Sequence, residues 1–212
     1  MKKTFFFAWF FLFPALPVFF YLKSSGSALD SYALSIILGV YAFMFICNQF
    51  ILASRPSFAF NAVGVKGILA LHSIMPFFIL LLAGTHKLLK EANGFGDDTF
   101  QATFGAVAWW TFASVIVFTV LFMANTFVLK IDLLKKLKAL VYKITGLTYK
   151  GSRLLHNVTV IAGAVILFHV FLASSSSFSV NMAGIVTMIL YMVLSLGLYF
   201  SYRLKGRTVK GK

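Results

Sequence analysis

Charged residues are scarce in this chain. Asp and Glu together number 5 among 212 residues, and all charged types make up 11% of the sequence. A soluble domain carries about 25% charged residues. Hydrophobic residues make up 60% of the chain and the mean hydropathy is +0.93, which is more apolar surface than a soluble core of this length can bury. The composition therefore argues against a soluble globular protein and favours a membrane protein.

Cysteine is nearly absent as well. The single thiol, Cys47, lies in an apolar run. One cysteine excludes a disulfide within the chain, and it excludes an iron–sulfur site, which takes about four thiolates. We expect Cys47 to be a small packing residue.

Long apolar runs are what the chain has instead. We identify six, each long enough to cross a hydrocarbon core of about 30 Å. Turn-like segments such as "KSSGSALD" and "EANGFGDD" separate them. The sequence predicts an all-α integral membrane six-helix bundle, formed as a single domain over residues 1–212, and shows no convincing internal repeat. The predicted spans are Thr4–Tyr21, Ser31–Ala53, Lys66–Leu89, Phe104–Leu129, Leu154–Ala173 and Val180–Tyr202.

The first run also fits a second interpretation. The segment "MKKTFFFAWFFLF" has the basic start and the apolar stretch of a signal peptide. However, Pro14 and Pro17 interrupt the stretch, and no clear A-x-A cleavage site follows. We therefore favour a retained first span over a cleaved one.

The basic residues predict the orientation. All but Lys23, Lys87 and Lys90 of the 19 Lys and Arg fall on one side of the predicted spans. Because cytoplasmic loops carry the excess of Lys and Arg, both termini and the loop after the fourth span are expected in the cytoplasm. The predicted location is the cell membrane, inner or plasma. The net charge of +14 is then mostly an orientation signal, and we expect no nucleic-acid partner.

The four histidines all lie in two of the predicted spans. His72 and His86 are in span three, 14 residues apart, which is about 21 Å and close to four turns of helix. His156 and His169 are in span five, 13 residues apart, which is about 19.5 Å. Both spans run outward in the predicted topology, so His72 has the depth of His156 and His86 has the depth of His169. The sequence thus predicts an inner and an outer histidine pair.

Two facing imidazoles suit a haem better than a bare metal ion. Zinc takes four ligands, or three and a water, whereas each pair supplies two and no carboxylate is near in sequence. A haem needs only axial ligands from the protein, and its apolar ring suits a membrane interior. We therefore expect two stacked b-type haems with His72, His86, His156 and His169 as the axial iron ligands. The alternative is a haem-free transport or proton-relay protein whose histidines form interhelical hydrogen bonds or pass protons.

The spacing in span five demands a distortion. Thirteen residues of ideal helix leave His169 about 140° around the axis from His156, so the span must deviate by a kink or a π-bulge. Gly163 lies midway and is a candidate for that deviation or for close haem approach, although helix packing by a small residue explains it equally well. In span three, Pro76 cannot donate to the His72 carbonyl, which favours a kink beside the inner ligand.

These motifs resemble the ferric reductase-like transmembrane domain. That superfamily includes ferric reductases, NADPH oxidases and the haem subunit of the periplasmic methionine sulfoxide reductase system. The matching features are "ILASRP" at the end of span two, H-x13-H in "HSIMPFFILLLAGTH", H-x12-H in "HNVTVIAGAVILFH" and the "RLLHN" that opens span five. The resemblance covers about Ser31 to Ala173.

The resemblance implies a function and a ligand set. His72 and His156 would hold the inner haem, His86 and His169 would hold the outer one, and electrons would pass from a cytoplasmic flavin to the outer face. Basic residues near the ligands would pair with haem propionates, although positive-inside flanking explains the inner ones equally well. The propionate candidates are Arg55, Lys66 and Arg153 on the inner side and Lys87 on the outer side.

The electron donor stays open. The chain has no G-x-G-x-x-G motif and no room for a dinucleotide fold, so we do not expect NAD(P)H to bind here in the usual way. The donor is then a separate cytoplasmic flavin-dependent reductase, a reduced flavin (FMN or FAD) supplied by or shared with a partner, or a quinol, as for a quinol-oxidising cytochrome b. The acceptor lies at the outer face, where a periplasmic redox partner is one candidate. We expect no catalytic group beyond the haems.

The loop after span four has a pattern of its own. Over about residues 130–145, apolar residues recur at helical spacing with lysines between them, which predicts a basic amphipathic helix on the inner membrane surface. An anchor on anionic membrane lipid and a docking face for an acidic electron-donor protein are the two interpretations. The apolar positions are Leu133, Leu134, Leu137, Leu140, Val141 and Ile144, and the lysines are Lys135, Lys136, Lys138 and Lys143.

Overall fold

The computed structural model describes residues 2–26, 29–96, 98–122, 131–146, 149–173 and 178–205. These residues form α-helices joined by short connections, with no strand among them, so the prediction of an all-α fold is confirmed. In chain order the helices are α1 (Lys2–Leu12), α2 (Ala15–Ser25), α3 (Ser31–Ser54), α4 (Ser57–Ala92), α5 (Phe100–Phe122), α6 (Asp132–Thr145), α7 (Tyr149–His156), α8 (Val158–Leu172) and α9 (Phe178–Lys205).

Among the described residues, six helical segments are long and apolar enough to cross a membrane. Their length and composition are consistent with a multi-pass membrane protein. The segments match the predicted spans to within a few residues, except that the third begins earlier, at Ser57, and residues 123–129 of the predicted fourth span lie outside the described residues. The segments are Lys2–Ser25, Ser31–Ser54, Ser57–Ala92, Phe100–Val120, Leu154–Leu172 and Phe178–Lys205.

The first segment is broken at a proline, as its sequence suggests. Pro14 separates α1 from α2 and has no N–H to donate to the carbonyl of Phe10, four residues earlier. The side-chain amide of Asn48 in α3 donates to that carbonyl at 3.0 Å. The Tyr191 hydroxyl of α9 in turn donates to the Asn48 side-chain oxygen. The Phe10 carbonyl, which the break leaves without a backbone donor, therefore accepts a hydrogen bond from a neighbouring helix, as the membrane interior requires.

Helix α3 is the centre of the bundle. Of the residues in its apolar window 67% are buried, against 17% in those of α4 and α8 and 6% in that of α5. It packs against α4 on one side and α9 on the other. Cys47 in α3 is fully buried with its sulfur 3.9 Å from that of Met192, so the expectation of a packing residue is confirmed.

Helix α4 enters the bundle through a bend. Arg55 closes α3 in the left-handed conformation (φ 48°), and Pro56 precedes the first residue of α4. Within α4 the backbone leaves helical dihedrals at Gly64 (φ 66°, ψ 177°), where glycine is favoured because it carries no Cβ. The part beyond Gly64 corresponds to the predicted third span. Pro76 lies inside α4 with helical dihedrals, so the backbone break is at Gly64 rather than beside His72.

The fifth span carries the distortion that its histidine spacing demands, but not at Gly163. Helix α7 ends at His156 and α8 begins at Val158, with hydrogen bonds of three-residue spacing around Asn157 (Asn157 N to Leu154 O and Val160 N to Asn157 O, both 3.0 Å). Such tight winding advances each residue by about 120° instead of 100°. It therefore brings a 13-residue step closer to four full turns.

Gly163 itself lies in the regular part of α8. A methyl group at this position would be 2.8 Å from Cζ of Phe50 in α3. The structure therefore favours the packing interpretation of Gly163, since the glycine makes room for the Phe50 ring.

The basic amphipathic helix predicted at about 130–145 is present as α6. Four of its apolar side chains are exposed, which leaves them available to lipid, and Val141 is half-buried. Residue 130 and the side chain of Leu134 lie outside the described part of the chain. The exposed apolar residues of α6 are Leu133, Leu137, Leu140 and Ile144.

Candidate functional site

The structure brings the four histidines together as two pairs. The ring centres of His72 and His156, the inner pair, are 6.0 Å apart with an interplanar angle of 76°. Those of His86 and His169, the outer pair, are 6.2 Å apart at 90°. Helix α4 supplies one member of each pair, while α7 and α8 supply the others.

These separations fit two ligands on opposite sides of one metal. A metal–imidazole bond is about 2.0–2.1 Å long, so two such rings place their coordinating nitrogens about 4 Å apart and their centres about 6 Å apart. Both pairs have this separation between their ring centres. Among the described residues no group of three or more His, Cys, Asp or Glu side chains could hold a bare metal ion. The donor set therefore suits a metal that brings its own equatorial ligands, as haem iron does.

The outer rings have a fixed tautomer. Nδ1 of His86 lies 2.7 Å from the carbonyl oxygen of Ser35 in α3, and Nδ1 of His169 lies 2.7 Å from that of Gln101 in α5. Because a carbonyl oxygen can only accept, each Nδ1 carries the proton and each Nε2 keeps its lone pair. Metal-bound histidines are commonly oriented by such a bond from the other ring nitrogen.

Each of these rings lies against a glycine. A methyl group at Gly39 in α3 would be 2.9 Å from Nδ1 of His86, and one at Gly105 in α5 would be 2.8 Å from Nδ1 of His169. Each glycine follows its accepting residue by four positions, which is one helical turn. A side chain there would point back over the carbonyl that the ring uses.

The inner pair has different surroundings. Nδ1 of His156 lies 3.1 Å from the hydroxyl of Thr119 in α5. Nδ1 of His72 is buried and has no hydrogen-bond partner among the described residues. Both amide atoms of Gln49 in α3 are in the same condition. His72 thus has a buried ring nitrogen whose hydrogen-bonding capacity is unused among the described residues, a state that calls for an explanation in an apolar interior.

The helices that carry the histidines pack mainly on other helices. Helix α4 packs on α3, and α8 packs on α5, whereas direct contacts between α4 and α8 are sparse within the described residues. The residues of α4, α5 and α8 are also little buried compared with those of α3. The α3–α4 pair and the α5–α8 pair meet through α4 and α5, where the Trp109 indole donates to the carbonyl of Leu80 at 3.2 Å, and through the two histidine pairs.

The basic propionate candidates fall into different settings. Arg55 is half-buried and its charge acts on His72. Lys66 is exposed. Arg153 lies in α7, and its side chain is outside the described part of the chain. Lys87 is exposed and its ammonium lies 3.1 Å from the carboxylate of Glu91.

Sequence reasoning overlooked Lys90. Its ammonium acts electrostatically on both His86 and His169, and it sits 4.2 Å from the ring centres of Tyr32 and of Phe95. Those aromatic faces hold the cation by a cation–π interaction. Lys90 is therefore a further outer-side candidate beside Lys87. Its position one turn after His86 was the only sequence signal for it.

The sequence also concealed a likeness between the two helix pairs. The segments "SIILGVYA" from Ser35 in α3 and "QATFGAVA" from Gln101 in α5 both read x-x-x-x-G-x-x-A. In each the first residue offers its carbonyl, the glycine faces the imidazole and the alanine (Ala42 or Ala108) is buried. The shared letters are too few to stand out as a repeat without the histidine contacts.

Comparison of the chain with protein-family models, with curated proteins and with solved structures found no match.

Proposed function

We propose that this protein is a transmembrane electron conduit of the ferric reductase-like kind, with two stacked b-type haems. His72 and His156 are the ligands of the inner haem, and His86 and His169 are those of the outer haem. Each haem, when bound, supplies a one-electron iron couple, and the two together carry electrons from a cytoplasmic donor to an acceptor at the outer face.

One observation carries this proposal: two opposed imidazole pairs at ligand separation, about 20 Å apart along the membrane by helix rise. The protein's own groups prepare these rings for metal binding. The Ser35 and Gln101 carbonyls hold the outer Nδ1 protons, which orients the rings and raises their basicity. Imidazoles on both faces of an iron leave no open position, which favours electron transfer over ligand chemistry.

Positive charge accompanies both sites. The charge of Arg55 acts on His72 of the inner pair, and that of Lys90 acts on both histidines of the outer pair. Each is suited to pair with a carboxylate at the edge of a bound porphyrin. Lys66 and Arg153 remain inner-side candidates for the same role, and Lys87 remains an outer-side one.

The excess of basic residues supports a cytoplasmic location for both termini and for α6. The electron donor then reaches the inner haem from that side. Candidates are a separate flavin-dependent reductase, a reduced flavin shared with it, or a quinol. The exposed lysines of α6 favour an acidic partner protein or anionic lipid at this surface.

A proton relay through the histidines is less favoured by the geometry. A relay needs groups that accept a proton on one side and release it on the other. The outer rings donate Nδ1–H to backbone carbonyls, which cannot pass a proton on. The hydrogen bonds fix the rings instead of linking them into a chain.

Haem content tests the proposal. Full-length protein matured with adequate haem should contain about two b-type haems per chain by the pyridine haemochrome assay. His86→Ala should remove one of them and leave expression intact. Ser73→Ala, an exposed change beside His72 on α4, is the matched control and should keep both. Wild-type protein without haem would overturn the proposal and favour the haem-free alternative.

A further inference from the structure

The two histidine pairs have different hydrogen-bond partners at Nδ1. Both outer rings donate to the main chain, at Ser35 and Gln101. At the inner level, the one described Nδ1 contact is with the Thr119 side chain. An acceptor on the main chain of a helix is fixed in place, whereas a hydroxyl rotates. The outer rings are therefore the more rigidly placed.

Gly39 and Gly105 leave the main-chain carbonyls of the preceding turn accessible to the imidazoles. In a helix the Cβ at one position points towards the preceding turn and covers the carbonyl there. At Gly39 and Gly105 that Cβ is missing and the imidazole occupies the place, with ring atoms 2.8–3.0 Å from where the carbon would be. Cβ atoms do not approach neighbouring atoms this closely, so a larger residue would displace the ring.

At the inner level the equivalent helix positions are not glycines. Fourteen residues beyond Gly39 and Gly105, on nearly the same helix faces, are Ala53 and Thr119. Thr119 reaches His156 with its hydroxyl, whereas Ala53 has no polar atom to offer. Nδ1 of His72 has no hydrogen-bond partner among the described residues. The two halves are thus equivalent at the outer site and unequal at the inner one.

We infer that Gly39 and Gly105 are positioning residues for the outer haem site. Each exposes a backbone carbonyl that orients and polarises one axial imidazole. The inference rests on the proposed function for its haem. Its geometric core, that each glycine acts through one histidine, is independent of haem.

The direct test replaces each glycine by alanine in the full-length protein. Gly39→Ala and Gly105→Ala should each lower the haem content from about two to about one per chain, with loss of the outer-haem component in potentiometric titrations and in the low-spin EPR spectrum. Gly197→Ala in α9 is the matched control, because a methyl group there meets nothing within 4 Å. Unchanged haem content, potentials and spectra in both variants would overturn the inference.

A double-mutant cycle guards against simple misfolding. Alanine favours a helix more than glycine does, so any loss of thermal stability in Gly39→Ala comes from the displaced neighbour. If that neighbour is the His86 ring, Gly39→Ala should cost stability in the wild-type background and little or none in His86→Ala. Equal cost in both backgrounds would show that Gly39 serves helix packing alone, which contradicts the inference.

The double-mutant cycle also distinguishes failure of this inference from failure of the proposed function. It is read from thermal unfolding of haem-free protein, so it gives an answer even when no haem binds. Absence of haem in the wild-type chain defeats the proposed function. Absence of coupling between Gly39 and His86 defeats this inference.

Discussion

The imidazole of His86 in α4 donates through Nδ1 to the main-chain carbonyl of Ser35 in α3, at 2.7 Å. The acceptor belongs to the most buried helix of the bundle, so the position of the ring is coupled to the core of the fold. His169 repeats the relationship with Gln101. The positions of the outer imidazoles therefore depend on how α4 and α8 pack against α3 and α5 more than on nearby side chains.

Lys90 is expected to set the potential of the outer haem. Lys90→Gln removes a positive charge that acts on both outer rings, so the oxidised iron becomes relatively more stable and the potential falls. The effect should be tens of millivolts, on the order of 1 kcal/mol for a partly screened charge. A potentiometric titration measures it. Lys23→Gln is the control, because that exposed lysine lies on the same side of the predicted topology and is not a candidate partner of the haem. An equal shift in both variants would argue against a special role for Lys90.

Thr119 is expected to tune the inner site alone. Thr119→Val keeps the shape of the side chain but removes the hydroxyl near His156, which should weaken inner haem retention by about tenfold, as for other partners of metal ligands. Thr119→Ser should restore it. Haem dissociation followed by absorbance measures the change. Loss of the outer component instead would contradict the assignment of Thr119 to the inner pair.

The lysines of α6 are expected to govern the encounter with an acidic electron donor. Replacing Lys135, Lys136 and Lys143 by Gln should slow the reduction of the haems by an acidic flavoprotein several-fold at low salt, and the difference should shrink as ionic strength rises. Stopped-flow absorbance records the rate. Lys23→Gln, on the opposite side of the predicted topology, should have no effect. A rate unchanged by the triple substitution would leave lipid anchoring as the role of α6.

Asn48 is expected to stabilise the broken first span. Asn48→Leu leaves the Phe10 carbonyl and the Tyr191 hydroxyl buried without their partner, which should cost about 1–3 kcal/mol of stability. Adding Pro14→Ala should recover part of this, since alanine supplies an N–H to the Phe10 carbonyl. Thermal unfolding in detergent measures both. If the second substitution brings no recovery, the explanation of the break is wrong.

Much of the fold could be predicted because two lengths are fixed by physics. The thickness of the hydrocarbon core sets the length of each apolar run, and this gave the six spans. The constant rise of a helix assigned His72 to the depth of His156, and His86 to that of His169. The same arithmetic showed that span five must be distorted.

What could not be predicted depends on how helices are rotated against one another. The sequence left Gly163 open as a site of the distortion or of helix packing. Phe50 fills the space beside Gly163 and the tight turn lies at Asn157, so the packing interpretation is favoured. The role of Gly39 and Gly105 could not be predicted, because it depends on the contacts that His86 and His169 make with them. A contact between a side chain and the backbone of another helix leaves little trace in either segment alone.

Electron transfer across a sealed membrane tests the central claim most directly. The full-length protein is reconstituted into vesicles that contain ferricyanide, and dithionite is added outside. The account predicts that the trapped ferricyanide is reduced and that the haems cycle at the same time, whereas vesicles with His86→Ala show only the background rate of empty vesicles. Equal rates in wild-type and His86→Ala vesicles, or no reduction above background in either, would contradict it.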